Sequence, residues 1–367
     1  MVARTLRVVL WLACALIAAA FLFVAVRRLG APIPLDGVEA SVLEHATRIA
    51  GQQPLYPQAP SPDAPAILPG FPLVASVLAG IFGPAYWEIR LLALLATLGI
   101  AILVLMVGRV ESESWTLGAA AAGFVFAALG IIAGVPGIGR PEPLALLLAL
   151  GGFAVLRFTS GIWGAVAAVL LIAAACFTQG FAVWFAATAL LYLACEDRKR
   201  FAVFALGLLL LLGYGGYSLS QQLGPSFLQE AWDAPVLALR FEPGALLHFV
   251  GDQMLGKLGV LTLTAVLSLA LPTPPWFSRG GIWMWMAIGA LASGMLATQS
   301  AALGPHGPTP IAVVIALAGP LSIQRVTRHL AAWPGSSRMG GQTVVLAALA
   351  LQFLMLLSSA SPTLLSL

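Results

Sequence analysis

Long uncharged runs separated by short polar segments dominate the chain from residue 8 onward. The runs recur at lengths that suit membrane-spanning helices, and none shows the alternation of polar and apolar residues that is typical of barrel strands. A helix can cross a hydrocarbon core because all its backbone polar groups bond internally. The pattern therefore predicts an all-α polytopic membrane protein.

Dividing the runs at charges, prolines and glycines predicts about eleven transmembrane helices in a single transmembrane domain, residues 1–367. Their approximate ranges are 8–26, 89–107, 115–133, 143–157, 162–177, 181–195, 202–219, 257–272, 282–301, 310–323 and 343–360. The uncharged run 162–195 is divided at Thr178-Gln179-Gly180, because one helix of that length would overshoot a hydrocarbon core of about 30 Å.

The first run, 8–26, is longer than the apolar region of a cleaved signal peptide and ends at a double arginine, so we predict a retained span, with a signal peptide as the alternative. If the N-terminus is cytoplasmic, eleven of the 18 basic residues lie on the cytoplasmic side. The positive-inside rule favours this orientation. We therefore expect a multi-pass membrane protein with a cytoplasmic N-terminus.

Two long segments then lie on the outer side, the first outer loop at 27–88 and the second at 220–256. Within the first loop, residues 38–50 have apolar positions on one side and polar positions on the other, which predicts an interfacial amphipathic helix closed by Gly51. The apolar segment 71–82 is too short to span and predicts a second interfacial or re-entrant helix.

Composition agrees with a membrane protein, since 60% of residues are hydrophobic and only 9% are charged. Soluble domains have about 25% charged residues. The net charge of +4 does not indicate nucleic acid, because the basic residues form small groups between apolar runs. Cys14, Cys176 and Cys195 are scattered without metal-ligand spacing, which favours buried, inert thiols.

Asp36 is the first candidate for chemistry. It begins the predicted amphipathic helix, where a carboxylate could act as a general base on an acceptor hydroxyl or bind a divalent cation. Asp36 and Glu39 also form a D-x-x-E pattern typical of a helix N-cap, and one residue can serve both roles. Whether a metal is bound is left open, and no cofactor is predicted with certainty.

Arg140 and Glu142 flank a proline at the predicted outer end of the fourth span. An acid at a helix start is favoured by the helix dipole, so Glu142 has a structural explanation. A charged pair at the rim of an apolar bundle equally predicts a site, in which Arg140 pairs with Asp36 or binds a phosphate. Three more cations, Arg90, Arg240 and Lys257, are either interfacial anchors or ligands of a lipid phosphate.

The order of motifs along residues 5 to 200 resembles the GT-C superfamily of integral membrane glycosyltransferases, in its protein-mannosyltransferase-like and lipopolysaccharide-core branches. The matching residues are Asp36-Gly37, Ala46 to Ile49, Gly51, Pro54-Leu55-Tyr56, Pro69 to Pro72, Phe82-Gly83, Arg90-Leu91, Arg140-Pro141-Glu142 and Phe177-Thr178-Gln179. The pattern departs from the family at Gly37, where a second acid is usual, and at Gln179, which follows Thr178 without the usual lysine.

This resemblance implies transfer of a sugar from a polyprenyl-phosphate lipid to an acceptor, with inversion, at the periplasmic face of a bacterial inner membrane. Asp36 would be the catalytic base and Glu142 the acid near the donor. A cation from the set Arg140, Arg240, Lys257 and Arg90 would hold the donor phosphate. Glu39, His45 and Tyr56 would support the acceptor or the loop.

Two other functions remain open at this point. The departures from the family motifs favour a catalytically silent GT-C-like subunit that binds membrane lipids or stabilises a complex with other membrane subunits. A secondary transporter is less favoured, because charged residues within the spans are nearly absent and no inverted repeat is visible.

Overall fold

A computed structural model describes residues 2–56, 67–132, 136–223, 226–227, 243–269, 271, 281–297, 309–331 and 338–358. Within these ranges the chain forms helices and no strand, as the apolar runs predicted. The helices of the first half are α1 (Val2–Leu29), α2 (Gly37–Ala50), α3 (Gly70–Phe82), α4 (Tyr86–Ser112), α5 (Trp115–Ala127, extended by a π-helical turn at Ala128–Ile132), α6 (Glu142–Phe158), α7 (Ile162–Thr178) and α8 (Ala182–Glu196).

The second half continues the bundle. Its helices are α9 (Arg198–Leu208, followed by a π-helical segment at Leu209–Tyr214), α10 (Gly215–Leu223), α11 (Pro243–His248, followed by a π-helical segment at Phe249–Lys257), α12 (Gly259–Leu269), α13 (Ile282–Ala297), α14 (Thr309–Ala331) and α15 (Arg338–Ser358). Helix α14 packs against α5, α12, α13 and α15, and its apolar stretch is the most deeply buried of the long helices described.

Five of the described helices are long and apolar enough to cross a membrane, or six if the bent pair Phe249–Lys257 and Gly259–Ser268 forms one span. Several shorter apolar helices accompany them, among them α3, α7 and α8. The chain is thus a multi-pass membrane protein, while the predicted number of eleven spans stays a prediction. The predicted break in 162–195 is confirmed, because α7 ends at Thr178 and α8 begins at Ala182.

Polar contacts hold together the end of the bundle that lies opposite to Asp36. At the end of α4, Arg157 of α6 donates two hydrogen bonds of 2.6 and 3.0 Å to Glu111, which also accepts one of 3.0 Å from the indole of Trp283. The amide of Gln324 donates to the Ser112 carbonyl at 2.8 Å. These bonds tie α4, α6, α13 and α14 together at the end opposite to Asp36.

A buried glutamine supports the bend between the π-helical segment Phe249–Lys257 and α12. The π-helical segment ending at Lys257 meets α12 at 96°. Gln352 of α15, fully buried, accepts a hydrogen bond from the Leu261 amide at 3.2 Å and donates one to the Lys257 carbonyl at 2.6 Å. One side chain therefore satisfies a carbonyl at the end of one helix and an amide in the first turn of the next, groups that helix termini leave unpaired.

We expect Gln352→Leu to destabilise the protein by about 1–3 kcal/mol, because both backbone groups at the bend would lose their partner in an apolar interior. The measurement is the free energy of unfolding of purified protein in detergent. Leu351→Ala serves as control, since the Leu351 side chain on the same helix is exposed to the bundle surface. Equal stability of Gln352→Leu and wild type would contradict the assigned role.

The cysteines follow the prediction at two of three positions. Cys14 and Cys176 are buried, and all three are free thiols. The prediction of burial is wrong for Cys195, which is exposed in the last turn of α8, next to the charged residues Glu196 and Asp197.

Candidate functional site

Asp36 caps helix α2 with one carboxylate oxygen and contacts Arg140 with the other. Its Oδ1 accepts a hydrogen bond of 2.7 Å from the Glu39 amide, which confirms the predicted N-cap. Its Oδ2 lies 3.3 Å from Nη1 of Arg140. The side chain retains 23% exposure, so the carboxylate is accessible while it caps the helix.

Glu39, the second acid of the D-x-x-E pattern, forms a fully buried ion pair with Arg90. Nε and Nη2 of Arg90 donate to its two carboxylate oxygens, each at 2.8 Å. The same carboxylate accepts hydrogen bonds from the backbone amides of Leu35 at 2.7 Å and Gly139 at 2.8 Å. Glu39 thereby joins the start of α2, the start of α4 and the segment leading into α6.

Arg90 also donates to three backbone carbonyls at the end of α1 and in the segment that follows it. Nη1 donates to the carbonyls of Arg28 at 2.8 Å and Ala31 at 2.5 Å, and Nη2 donates to that of Ile33 at 2.7 Å. A guanidinium has five N–H donors, and here five hydrogen bonds engage them. The predicted phosphate contact of Arg90 therefore does not fit the geometry, because no donor is left for a ligand and the side chain is fully buried.

Arg140 lies between two carboxylates. Nη2 is 3.1 Å from Oε1 of Glu142, and Nη1 faces Asp36. The predicted helix start is confirmed, since α6 begins at Glu142 directly after Pro141. Gly139 allows this segment to approach α4, where a Cβ would lie 2.6 Å from the Ile89 side chain. The fold thus brings Asp36, Arg140 and Glu142 together. The contact between Asp36 and Arg140 is the pair that the sequence predicted as one of two alternatives.

Several buried polar atoms in this region have no hydrogen-bond partner among the described residues. They are Nε of Arg140, Oε2 of Glu142 and both carboxylate oxygens of Glu88. A buried polar group without a partner costs about 1–3 kcal/mol, and such groups are expected where a ligand supplies the missing bond. Arg140 and Glu142 therefore each have one atom free for a bound molecule, and Glu88 is a buried acid that the sequence argument did not single out.

The motif Phe177-Thr178-Gln179, the last of those that resemble the GT-C superfamily, lies at the end of α7. Thr178 and Gln179 are buried. A Cβ on Gly70, the first residue of α3, would lie 2.7 Å from Oγ1 of Thr178, so only glycine allows this approach. The motif thus supports α3 rather than the charged cluster.

His45 and Tyr56 connect the first outer loop to the beginning of the second. Tyr56 is buried, its hydroxyl donates to the Ile67 carbonyl at 2.6 Å, and its amide donates to the Leu223 carbonyl at 3.0 Å. The Tyr56 ring lies between His45, at a centroid distance of 5.4 Å, and Phe227, at 5.5 Å. These contacts fit the predicted role of His45 and Tyr56 in supporting the loop.

Burial lowers the pKa of the His45 imidazole, although the Ser41 carbonyl and Glu44 act in the opposite direction and Arg48 adds to the lowering. Because the fold favours the neutral ring, the His45 contribution to stability is present above the unfolded pKa of about 6.5 and is lost as the pH falls through the lower folded pKa. We expect the Tm to fall more between pH 7 and pH 5 for wild type than for His45→Gln. Parallel pH profiles of the two proteins would contradict this.

The other predicted phosphate ligands are not placed at Arg140 by any described contact. Lys257 is half-buried at the 96° bend before α12. Arg240 lies outside the described residues. His248 forms an exposed pair with Asp252 at 2.6 Å. Arg140 lies beside Asp36 and Glu142 as the sequence predicted, while a phosphate contact of Arg140, Lys257 or Arg240 stays a prediction.

A divalent cation finds no ligand set within the described part of the chain, where no three His, Cys, Asp or Glu side chains cluster as metal ligands do. Asp36 and Glu142 each contact the Arg140 guanidinium, at 3.3 and 3.1 Å. The guanidinium thus occupies the position in which a cation would join the two carboxylates, and the described residues do not fit a metal site there.

Comparison with known proteins supports a fold assignment. No protein-family model and no curated protein matches the chain. The structure of ArnT from Cupriavidus metallidurans bound to undecaprenyl phosphate is similar, with a TM-score of 0.60 and 14% identity over 96% of this chain and 76% of ArnT.

Two archaeal structures from Archaeoglobus fulgidus are also similar. Oligosaccharyltransferase AglB in complex with an inhibitory peptide and a dolichol-phosphate matches with a TM-score of 0.56 and 14% identity, over 96% of this chain and 56% of AglB. The oligosaccharyltransferase complex with Zn and sulfate has a TM-score of 0.54 and 15% identity, over 95% of this chain and 53% of the enzyme. This chain therefore spans about half the length of those archaeal proteins. Together these likenesses show that the chain shares the fold of ArnT and of the archaeal oligosaccharyltransferases.

Proposed function

We propose that the chain is a glycosyltransferase that moves a sugar from a polyprenyl-phosphate donor to an acceptor on the periplasmic face of a bacterial inner membrane. The observation that carries the proposal is the convergence of Asp36 and Glu142 on Arg140, whose buried Nε has no partner among the described residues. The similarity to ArnT bound to undecaprenyl phosphate and to AglB with a dolichol-phosphate supports a donor of the same lipid class.

In the proposed reaction Asp36 is the general base. An acceptor hydroxyl attacks the anomeric carbon of the donor sugar, and Oδ2 of Asp36 takes the hydroxyl proton as the new glycosidic bond forms. The cap to the Glu39 amide holds the carboxylate in place through its other oxygen, so that little reorientation is needed. Attack from the face opposite to the leaving group gives inversion.

Arg140 would stabilise the leaving group. As the bond between the anomeric carbon and the phosphate oxygen breaks, its electron pair stays on the polyprenyl phosphate, where negative charge develops. A guanidinium held in a mostly buried position offers N–H donors suited to phosphate, and fixed donors of this kind are effective where charge develops in the transition state. Glu142, beside Arg140, has a free oxygen that could accept a hydrogen bond from a hydroxyl of the donor sugar.

The experiment measures release of labelled undecaprenyl phosphate from an undecaprenyl-phosphate sugar in proteoliposomes. We expect Arg140→Gln to lower the rate by about 10²–10³-fold, the usual effect of removing one preorganised donor. Arg140→Lys should recover part of the rate, because it restores the charge but not the planar fork.

The control is Arg27→Gln, which removes an exposed arginine that lies over the Phe23 ring at 5.9 Å. This variant should transfer at the wild-type rate. If Arg140→Gln remained folded and as active as Arg27→Gln, the assignment of Arg140 to the donor phosphate would be wrong.

A further inference from the structure

A shallow, open groove of mixed polar and apolar lining runs along helix α2 on the side opposite to its buried residues Val42 and Ala46. Its volume is about 490 Å³, and the helix contributes Ala40, Leu43, Glu44, Thr47 and Arg48 to its lining. Positions 36, 40, 44 and 47 follow the helical repeat, so they share one face of α2. The groove therefore begins about 6 Å along the helix axis from Asp36 and extends to about 18 Å at Arg48, at a rise of about 1.5 Å per residue.

Two residues outside the helix complete the lining. Gln52 has a left-handed φ of 54°, which turns the chain back so that the Gln53 amide donates to the Arg48 carbonyl at 2.8 Å and Gln53 reaches the far end of the groove. Tyr86, at the start of α4, forms part of the wall, and its ring is supported by the guanidinium of Arg90 at 5.3 Å. Because Arg90 is fixed by buried hydrogen bonds, this aromatic ring is held in place.

The chemistry of the groove suits an uncharged, polyhydroxylated ligand. Glu44 and Arg48 bond to each other at 2.8 and 3.1 Å, so their charges cancel while acceptor and donor groups lie side by side. Vicinal hydroxyls, each a donor and an acceptor, match such a pair. The amide of Gln53 offers both kinds of group again, and the Tyr86 ring offers a flat apolar surface.

We propose that this groove binds the carbohydrate part of the acceptor and presents its terminal hydroxyl to Asp36. The proposal rests on the proposed function, because it takes Asp36 as the base. It adds the substrate class, a neutral oligosaccharide, and a binding surface distinct from the Arg140 cluster that would hold the donor.

Other occupants fit the groove less well. An anionic ligand would need unpaired cations, but Arg48 is neutralised by Glu44. A lipid chain would need apolar walls, and among the described lining residues only Ala40 and Leu43 are aliphatic. A peptide bound through its main chain would need an exposed strand edge, which a helix does not offer.

Binding can be tested directly by saturation-transfer difference NMR on the full chain in detergent. The probes are mannotriose, maltotriose, chitotriose and a neutral hexapeptide that contains Ser and Asn. We expect at least one trisaccharide to give a signal that falls at least fivefold in both Tyr86→Ala and Gln53→Ala. The control is Ser41→Ala, a half-buried residue of α2 outside the groove, which should keep the signal.

Three results would overturn the proposal: a signal from the peptide alone, a trisaccharide signal that both groove variants retain, or no signal from any probe. The test is independent of the reaction, since Asp36→Asn should bind the trisaccharide as wild type does. If the protein binds saccharide but transfers no sugar, the proposed function is wrong and the groove assignment stands. If it transfers sugar and Tyr86→Ala leaves the acceptor KM unchanged, the groove assignment is wrong and the proposed function stands.

Discussion

Asp36→Asn is expected to lower sugar transfer by about 10²–10⁴-fold, the usual contribution of a general base. Asparagine is as good an N-cap as aspartate, so the amide oxygen can still accept the hydrogen bond from the Glu39 amide. It cannot take the proton of the acceptor hydroxyl. The substitution therefore separates the two roles of Asp36, and the Tm should stay close to that of wild type.

A second capping aspartate provides the control. Asp197 caps α9 by accepting hydrogen bonds from the amides of Lys199 at 3.0 Å and Arg200 at 3.1 Å. It lies at the other end of the bundle, where Arg200 donates to the Leu156 carbonyl. Asp197→Asn should transfer sugar at the wild-type rate. If folded Asp36→Asn did the same, Asp36 would be only a cap, and a silent subunit would be the better description.

Arg90→Leu is expected to destabilise the protein by about 3–5 kcal/mol, because it leaves the fully buried Glu39 carboxylate without its counter-charge. The carbonyls of Arg28, Ala31 and Ile33 would lose their donor as well. The measurement is the free energy of unfolding in detergent, with the amount of folded protein recovered from membranes as a second readout.

Helix α2 contains an exposed ion pair of the same type, which is a matched control. Arg48→Leu breaks the Glu44–Arg48 pair, which is largely solvated, and should cost less than about 0.5 kcal/mol. The double variant Glu39→Leu with Arg90→Leu should recover part of the stability, because no buried charge is left uncompensated. An Arg90→Leu protein as stable as Arg48→Leu would show that the buried pair does not hold the loop.

Local features were predicted well from the sequence because their causes are local. The cap at Asp36 follows from the D-x-x-E pattern, and the i,i+4 pair of Glu44 and Arg48 follows from helix geometry. The start of α6 follows from Pro141, and the apolar runs predicted a helical membrane protein. The particular fold was implied by the resemblance of the motifs to the GT-C superfamily, not by the apolar runs.

The role of Arg90 could not be predicted, because it depends on contacts distant in sequence. Glu39 and Arg90 are 51 residues apart, and the Gly139 amide is 100 residues from the carboxylate to which it donates. A charged residue at the start of an apolar span fits a ligand site and a buried ion pair equally well. Only the folded chain shows that every N–H of this guanidinium is used.

The most direct test of the proposed site is a cryo-EM structure of the full chain in nanodiscs with undecaprenyl phosphate. We expect the lipid phosphate within about 3.2 Å of an Arg140 guanidinium nitrogen, with the Asp36 carboxylate on the same side of the bound lipid. A phosphate bound away from Arg140, with the Arg140 guanidinium still paired only to Asp36 and Glu142, would contradict the proposed site.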